Sequence, residues 1–245
     1  MIEKFEDKYV IKYLDIDKTG YANPNSIIDY MQEASSMHGE VTGCSVQYMM
    51  EKEFVWILIE KCVNIYDLPK LDEYITVRTW SCGNKGLYAY RKYEVYNKDN
   101  KLIANANSKW IMYSTSRKRP IKIDEETMKL YYTVGDISDE GFIHFEDDKQ
   151  YDKITKQTVY YKDVDTNWHM NNKKYIRLAI ESMDSNFLDT HMLEKYSVKY
   201  IKQLLYTDKY NICMKKISDT EYMYYINQDN ESKNNCEIYI KWKQK

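Results

Sequence analysis

One segment of this sequence occurs twice, first as DIDKTGYANPNSIIDYMQE at residues 15–33 and again as DVDTNWHMNNKKYIRLAIE at residues 163–181. The two copies align without a gap at an offset of 148 residues (163 − 15). An extended stretch precedes each copy, and a helical pattern follows each. Self-similarity at a fixed offset indicates one structural unit built twice. Five of the nineteen aligned positions are identical: Asp15/Asp163, Asp17/Asp165, Asn23/Asn171, Ile28/Ile176 and Glu33/Glu181.

The surroundings of the two copies match as well. A turn recurs late in each half, as NKDN at 97–100 and NQDN at 227–230, and each turn leads into a strand that contains a Lys-Trp pair. We therefore predict a first unit at residues 1–125 and a second unit at residues 153–245. The charged, irregular stretch at 126–152 is predicted to connect them.

The first unit has the pattern of an α+β fold. Helical spacing begins near Asn25, with Pro24 at a position suited to a first turn, and it ends at Gly39 and Gly43. Four strand-like runs follow between residues 53 and 114. One strand, one long helix and then an antiparallel meander indicate the α+β class. The helix face is predicted from six residues: Ile27, Ile28, Met31, Ala34, Ser35 and His38, the last as a polar residue that faces the core.

Composition excludes several other classes of protein. Of the 245 residues, 43% are apolar and 30% are charged, as in globular proteins, and the net charge of −2 gives no general attraction to nucleic acid. No apolar run is long enough to predict a membrane span, and the start MIEKFEDKYV lacks an apolar signal core. Five widely spaced cysteines without a CxxC pair favour a reducing cytoplasm and argue against zinc or a disulfide framework. We expect a cytoplasmic protein without a metal site.

The stretch DVDTNWHMNN at residues 163–172 concentrates polar side chains at the start of the second helix. Residues that only cap or turn the chain should occur in both copies, as Asp163, Asp165 and Asn171 do. Asn167 and His169 do not recur, because the first copy has Thr19 and Tyr21 there. This difference makes Asn167 and His169 candidates for chemistry.

The segment DVDTNWHMNNKKYI resembles the active-site segment of the fatty acyl-ACP thioesterases, whose pattern is roughly D-x-D-x-N-x-H-x-N-N-x-x-Y. YLDIDKTG, YMQEASSMHGEVTG, ITVRTW and SKWIMYSTSRKRP in the first half are similar to that family too, so the resemblance covers nearly the whole chain. It implies two tandem hotdog units, each an antiparallel sheet wrapped around a long central helix. It also implies hydrolysis of fatty acyl-ACP without a cofactor, with the chemistry in the second unit and much of the acyl pocket in the first.

Thioester hydrolysis needs an activated water and donors that face the carbonyl oxygen. A helix N-terminus supplies backbone N–H groups and the positive end of a dipole. Asn167 can orient water or substrate, and His169 can donate a hydrogen bond or carry a proton. Asp165 can act as a base or hold its neighbours, but it also suits a plain turn residue. Asn171 suits a helix cap better than a catalytic group, and Asn171 and Asn172 are expected to contact the substrate.

One position departs from the family pattern. The family has a catalytic Glu, often followed by Cys, in a strand pattern resembling Y-x-x-E-x-x-x-x-D, and the matching stretch here is YIKQLLYTD at residues 200–208. Gln203 stands at the Glu and Leu204 at the Cys. Gln cannot act as a base, but it can still position a water. Either Asp165 supplies the base here, or the chain is slow or specialised. We keep Gln203 as a catalytic-site candidate with an open role.

Binding residues are less sharply indicated. Ile27, Met31 and Ala34 are expected to face an acyl tunnel. The cluster Lys173, Lys174 and Arg177, with a second basic stretch at 117–119, suits an acidic acyl carrier protein but equally suits a solvated surface. Two other functions stay open: an acyl-CoA thioesterase, and a non-catalytic acyl-thioester binding protein that Gln203 would favour. We expect a monomer or a homodimer.

Overall fold

The computed structural model describes residues 3–131, 133–165, 168–229 and 231–245. The chain forms two compact units, Met1–Gly141 and Phe142–Lys245. The division falls inside the stretch at 126–152 that the sequence analysis assigns to a connector, and that assignment stays a prediction. None of the helices in the described ranges combines the length and the apolar character needed to cross a bilayer.

The first unit contains one antiparallel sheet and one long helix. The elements are β1 (Phe5–Val10), α1 (Pro24–Thr42), α2 (Val46–Glu51), β2 (Phe54–Ile65), β3 (Tyr74–Lys85), β4 (Tyr88–Asn97), β5 (Leu102–Ser114), β6 (Arg119–Ile121) and α3 (Glu125–Leu130). The strands run in the order β1-β3-β4-β5-β2, and β6 pairs with β5. The four strand-like runs read from the sequence correspond to β2–β5. The short helix α3 lies in the stretch expected to be irregular, and Asp124 caps it by accepting the Thr127 N–H at 2.8 Å.

The bounds of α1 follow from residues at its two ends. The Asn23 side chain accepts the Asn25 N–H at 2.9 Å, and Pro24 occupies the first turn. The helix ends at Gly43, whose φ of +83° lies in the left-handed region that favours glycine. The buried face packs against β1 and β3. It carries Ile27, Met31, Ala34, His38 and Gly39.

The second unit repeats this plan with a shorter helix. The elements are β7 (Lys153–Thr158), α4 (Asn172–Glu181), α5 (Ser185–Thr190), β8 (His191–Tyr200), β9 (Lys209–Lys216), β10 (Glu221–Gln228) and β11 (Cys236–Gln244). The strands run in the order β8-β11-β10-β9-β7, all antiparallel. The helix α4 has 10 residues against 19 in α1. It ends early because the Ser182 hydroxyl donates to the Ala179 carbonyl and Asp184 caps a separate helix, α5.

Equivalent backbone hydrogen bonds form inside each unit, between residues that the sequence offset aligns. The Asp17 N–H donates to the Tyr21 carbonyl at 2.9 Å, and the Asp165 N–H donates to the His169 carbonyl at 2.8 Å. In the same way, the N-cap residue of each helix donates its N–H to a backbone carbonyl, Asn23 to that of Asp15 and Asn171 to that of Asp163. The duplicated segments therefore fold as the same loop leading into the same helix start.

His38 is fully buried in the first unit and uncharged. Its Nδ1 lies 3.0 Å from a terminal nitrogen of Arg91, and its ring packs edge-on to Tyr131. Because a guanidinium only donates hydrogen bonds, the His38 Nδ1 accepts and its proton resides on Nε2. Burial, with a smaller effect from the Arg91 charge, lowers the pKa of His38 to about 4.

We expect His38 to make the protein less stable in mild acid. The unfolded chain titrates His38 at its ordinary pKa of 6.5, so between pH 6.5 and 4 the unfolded state binds more protons than the folded state. The free energy of unfolding therefore falls over this range, by roughly 3 kcal/mol. Burial raises the pKa of Tyr131, the ring that packs on His38, so Tyr131 does not titrate in this range.

Urea unfolding of the wild type and of His38→Gln across this range provides the measurement. Gln keeps an acceptor for Arg91 but has no titrating ring, so the variant should lose the part of the pH slope that belongs to His38. Equal slopes in the two proteins would show that His38 is not the buried neutral group described here.

Candidate active site

The duplicated loop of the second unit is anchored on a buried carboxylate. Asp163 ends a short 3-10 turn and is 7% exposed. One carboxylate oxygen lies 3.1 Å from the Lys174 Nζ, and the other accepts the Tyr160 N–H at 3.3 Å. The Asp163 carbonyl also accepts the Asn171 N–H at 2.9 Å. These contacts fix both ends of the loop that carries the candidate residues.

Asp165 and His169 lie together in this loop. The Asp165 carboxylate accepts the His169 backbone N–H at 3.1 Å, and the Trp168 N–H donates to the Asp165 carbonyl at 3.1 Å. Asp165 is exposed and His169 is half-buried. The contact gives Asp165 a loop-closing role, as Asp17 has toward the Thr19 N–H in the first unit. A second role for Asp165 as a base stays a prediction.

Asn167 cannot be located in the same way, since residues 166 and 167 lie outside the described residues. Its predicted part in catalysis therefore stays a prediction.

Trp168 is a feature that the sequence analysis missed. Its φ of +63° lies in the left-handed region, where the aligned residue of the first unit is Gly20 with φ +80°. A side chain in this region costs roughly 1–2 kcal/mol. Trp168 packs beside Tyr161 and Tyr206, with ring centroids 5.9 and 5.7 Å away, and all three are exposed. The alignment of Trp168 with Gly20 in the repeated segment could have indicated this left-handed conformation from the sequence.

The loop at residues 201–208 runs beside the His169 segment. The Met170 N–H donates to the Leu204 carbonyl at 2.7 Å, and the Tyr206 N–H donates to the Trp168 carbonyl at 3.2 Å. Gln203 directly precedes Leu204 and is exposed. Gln203 thus directly precedes the residue whose carbonyl accepts the Met170 N–H, and its predicted part in catalysis stays a prediction.

The expected strand position of Gln203 is wrong. Strand β8 ends at Tyr200, and Gln203 lies in the following loop. The strand ends because the N–H groups of Ile201 and Lys202 both donate to one carbonyl, that of Asn235. This bifurcated arrangement stops the regular ladder and turns the chain toward Met170.

Asn171 and Asn172 form the start of α4. The Asn171 side chain accepts the Lys173 N–H at 3.1 Å, which is the cap role that the sequence favours. Asn172 is exposed, and its carbonyl accepts the Tyr200 hydroxyl at 2.9 Å. Their predicted contacts with substrate stay predictions.

The basic cluster on α4 is largely paired with acids. Lys174 forms the ion pair with buried Asp163, and the Arg177 Nε lies 2.6 Å from Glu181. Lys173 is exposed. Two of the three cations thus stabilise the loop and the helix, and this pairing weakens the case for the cluster as a carrier-protein contact.

The residues predicted for the acyl tunnel lie in the core of the first unit. Ile27, Met31 and Ala34 have no exposed surface and occupy one face of α1. No set of three metal-binding side chains comes together within the ranges given above. In the second unit, the carboxylate of Asp165, the imidazole of His169 and the amide of Asn171 lie at or just before the start of α4.

Two family models match the chain in succession. The acyl-ACP thioesterase N-terminal domain matches residues 2–131, and the acyl-ACP thioesterase C-terminal domain matches residues 146–244. The oleoyl-acyl carrier protein thioesterase of Coriandrum sativum is 23% identical over 224 residues, and an Arabidopsis thaliana enzyme of that name is 22% identical over 219. These alignments cover 83% and 81% of this chain. The chain spans about 60% of the length of each of these relatives.

Solved structures show the same fold. An acyl-ACP thioesterase from Bacteroides thetaiotaomicron superposes with a TM-score of 0.87 at 19% identity, covering 98% of each chain. The 12:0-ACP thioesterase of Umbellularia californica gives 0.87 at 16% identity, covering 99% of this chain and 98% of that one. These matches confirm the α+β class and the two tandem hotdog units expected from the sequence. The chain belongs to the acyl-ACP thioesterase family.

Proposed function

We propose that this protein hydrolyses the thioester of fatty acyl-ACP and releases free fatty acid and acyl carrier protein. The observation that carries the proposal is the match of both family domains along one chain, in the order of the family. The helix start of the second unit supports it, because Asp165 and His169 lie in one loop there. We further propose a role in fatty acid biosynthesis in the cytoplasm, as a monomer or a homodimer.

The chemistry follows from the groups of this loop. Water attacks the thioester carbonyl carbon, the carbon–sulfur bond breaks, and the departing thiolate takes up a proton. Asp165 removes the proton from the water, and His169 carries a proton or donates to the carbonyl oxygen. Asn167 orients the water, and the N-terminal dipole of α4 favours the negative charge that develops on the oxygen.

Acyl-CoA is the nearest alternative substrate. The test compares kcat/KM for acyl-ACP and acyl-CoA carrying the same acyl chain, over several chain lengths. The proposal expects faster hydrolysis of acyl-ACP at the preferred length. An equal or higher kcat/KM for acyl-CoA would identify the protein as an acyl-CoA thioesterase instead.

Gln203 favours a second candidate, a protein that binds acyl thioesters without hydrolysing them. If Gln203 only positions water, Gln203→Ala should lower the rate by a factor of about 2 to 13, the effect of one neutral hydrogen bond. Gln203→Glu should hold or raise the rate, because it restores the acid of the family pattern. Steady-state kinetics on acyl-ACP measures both variants.

The opposite pattern would change the function. A wild type that binds acyl-ACP without turnover, combined with a Gln203→Glu variant that hydrolyses it, would identify the natural protein as a binder. Exposure of Gln203 in a loop makes both substitutions tolerable for folding, so a loss of activity can be assigned to the site.

A further inference from the structure

The core of the first unit contains two buried cations. Lys61 on β2 is 3% exposed and Arg91 on β4 is 9% exposed. The Lys61 Nζ lies 5.0 Å from the ring centroid of Tyr93, and Tyr93 follows Arg91 by two residues on the same strand. Because side chains alternate along a strand, Arg91 and Tyr93 share one face. Both reach α1, where Tyr93 donates to Ser35 and Arg91 contacts His38.

The buried groups around Arg91 and His38 have more hydrogen-bond donors than acceptors. One terminal nitrogen of Arg91 donates to the His38 Nδ1 and, at 3.1 Å, to the Thr79 hydroxyl. This arrangement puts the His38 proton on Nε2. That Nε2 is buried and has no hydrogen-bond partner in the described part of the chain. A buried donor without an acceptor is costly, which points to an acceptor supplied from outside the chain.

Neither buried cation is held by an ion pair. Within the described residues, Lys61 and Arg91 form no ion pair with a carboxylate, although the charge of Asp29 acts on Lys61. Burial lowers the pKa of Lys61 to about 8, against a smaller raising effect from the charge of Asp29. Cation–π contact with Tyr93 offsets only part of the desolvation. A pair of positive charges in a protein core therefore favours an anion between α1 and the sheet.

We propose that the natural substrate is an acyl chain that carries a carboxylate, the half-thioester of a dicarboxylic acid, and that Lys61, Arg91 and the His38 Nε2–H receive this carboxylate. The proposal rests on the proposed function and on the predicted acyl tunnel along Ile27, Met31 and Ala34 of α1. His38 lies on the same buried face of α1, so a chain that follows this face meets the donors at its end. A carboxylate supplies the acceptor that the His38 Nε2–H lacks and a negative charge that pairs directly with the two cations.

The first test uses the wild-type protein alone. It compares kcat/KM for pairs of acyl-ACP substrates of equal length, one with a terminal methyl and one with a terminal carboxylate, over a range of lengths. Hydrogen bonds to charged groups contribute about 1.5–3 kcal/mol, so the carboxylate should be preferred by roughly 10- to 150-fold at the best length.

Variants then assign the preference to the cluster. Lys61→Met keeps the length of the side chain without its charge and should abolish the preference, while Lys61→Arg should retain most of it. Arg91→Met should act like Lys61→Met. Lys92→Met is the matched control, since Lys92 neighbours Arg91 on the opposite face of β4 and should leave the ratio unchanged. Thermal unfolding checks that each variant is folded.

The outcomes separate the two proposals. Hydrolysis of methyl-ended chains with no preference for the carboxylate at any length would overturn the inference and leave the proposed function intact. The same holds if Lys61→Met and Arg91→Met fold and keep the wild-type ratio. Hydrolysis of neither substrate would overturn the proposed function, and the inference with it.

Discussion

Replacing His169 by alanine is expected to lower kcat/KM for acyl-ACP by about 10²–10⁴ while the chain stays folded. The imidazole is half-buried at the start of α4, where it can serve a thioester carbonyl or its leaving group. The loop does not depend on the ring, since His169 holds Asp165 through its backbone N–H and carbonyl. Steady-state kinetics, with circular dichroism to check folding, provides the measurement.

The duplication supplies a matched control for this substitution. Tyr21 is the equivalent residue of the first unit, and its backbone carbonyl accepts the Asp17 N–H just as that of His169 accepts the Asp165 N–H. Tyr21→Ala should alter substrate preference at most. An equal loss of activity in the two variants would contradict the division of roles between the units.

The second large effect is expected from Asp165→Asn. If Asp165 is the base, removing its charge should lower the rate by about 10²–10⁴. Asn retains a side-chain oxygen that can accept the His169 N–H, so the loop keeps its closing hydrogen bond. The substitution therefore separates the chemical role of the carboxylate from its role in the turn. Single-turnover kinetics on acyl-ACP measures the chemical step.

Asp17→Asn is the corresponding control in the first unit, where Asp17 accepts the Thr19 N–H at 2.8 Å. It should leave the rate within a factor of a few. A similar small effect from Asp165→Asn would identify Asp165 as a turn residue, and the base would then have to be sought at His169.

Much of the fold could be predicted because its signals are local. The alternation along Tyr88–Asn97 and the cap and glycine at the two ends of α1 act within a few residues. The early end of α4 was not foreseen, since it depends on Ser182 bonding its own helix and on Asp184 capping the next one. The short helix α3 was missed because a charged stretch of six residues has little periodicity.

The site was harder to predict, because the spacing of residues in the sequence does not show which charged side chains pair in the fold. Lys174 sits in a basic run, yet it pairs with a carboxylate eleven residues earlier that is buried by the fold. Lys61 lies in an apolar strand pattern, and only its packing on Tyr93 shows that it points into the core. Trp168 likewise has a positive φ because its loop has the same conformation as the loop of the first unit, in which Gly20 holds the equivalent position.

The central claim is that the chain turns over acyl-ACP. The most direct test incubates the purified protein with a molar excess of acyl-ACP and measures free fatty acid per mole of protein over time. The account predicts many moles of fatty acid per mole of protein, with the free thiol of the carrier protein appearing at the same rate. Tight binding of acyl-ACP with no fatty acid released at any chain length, methyl-ended or carboxylate-ended, would contradict it.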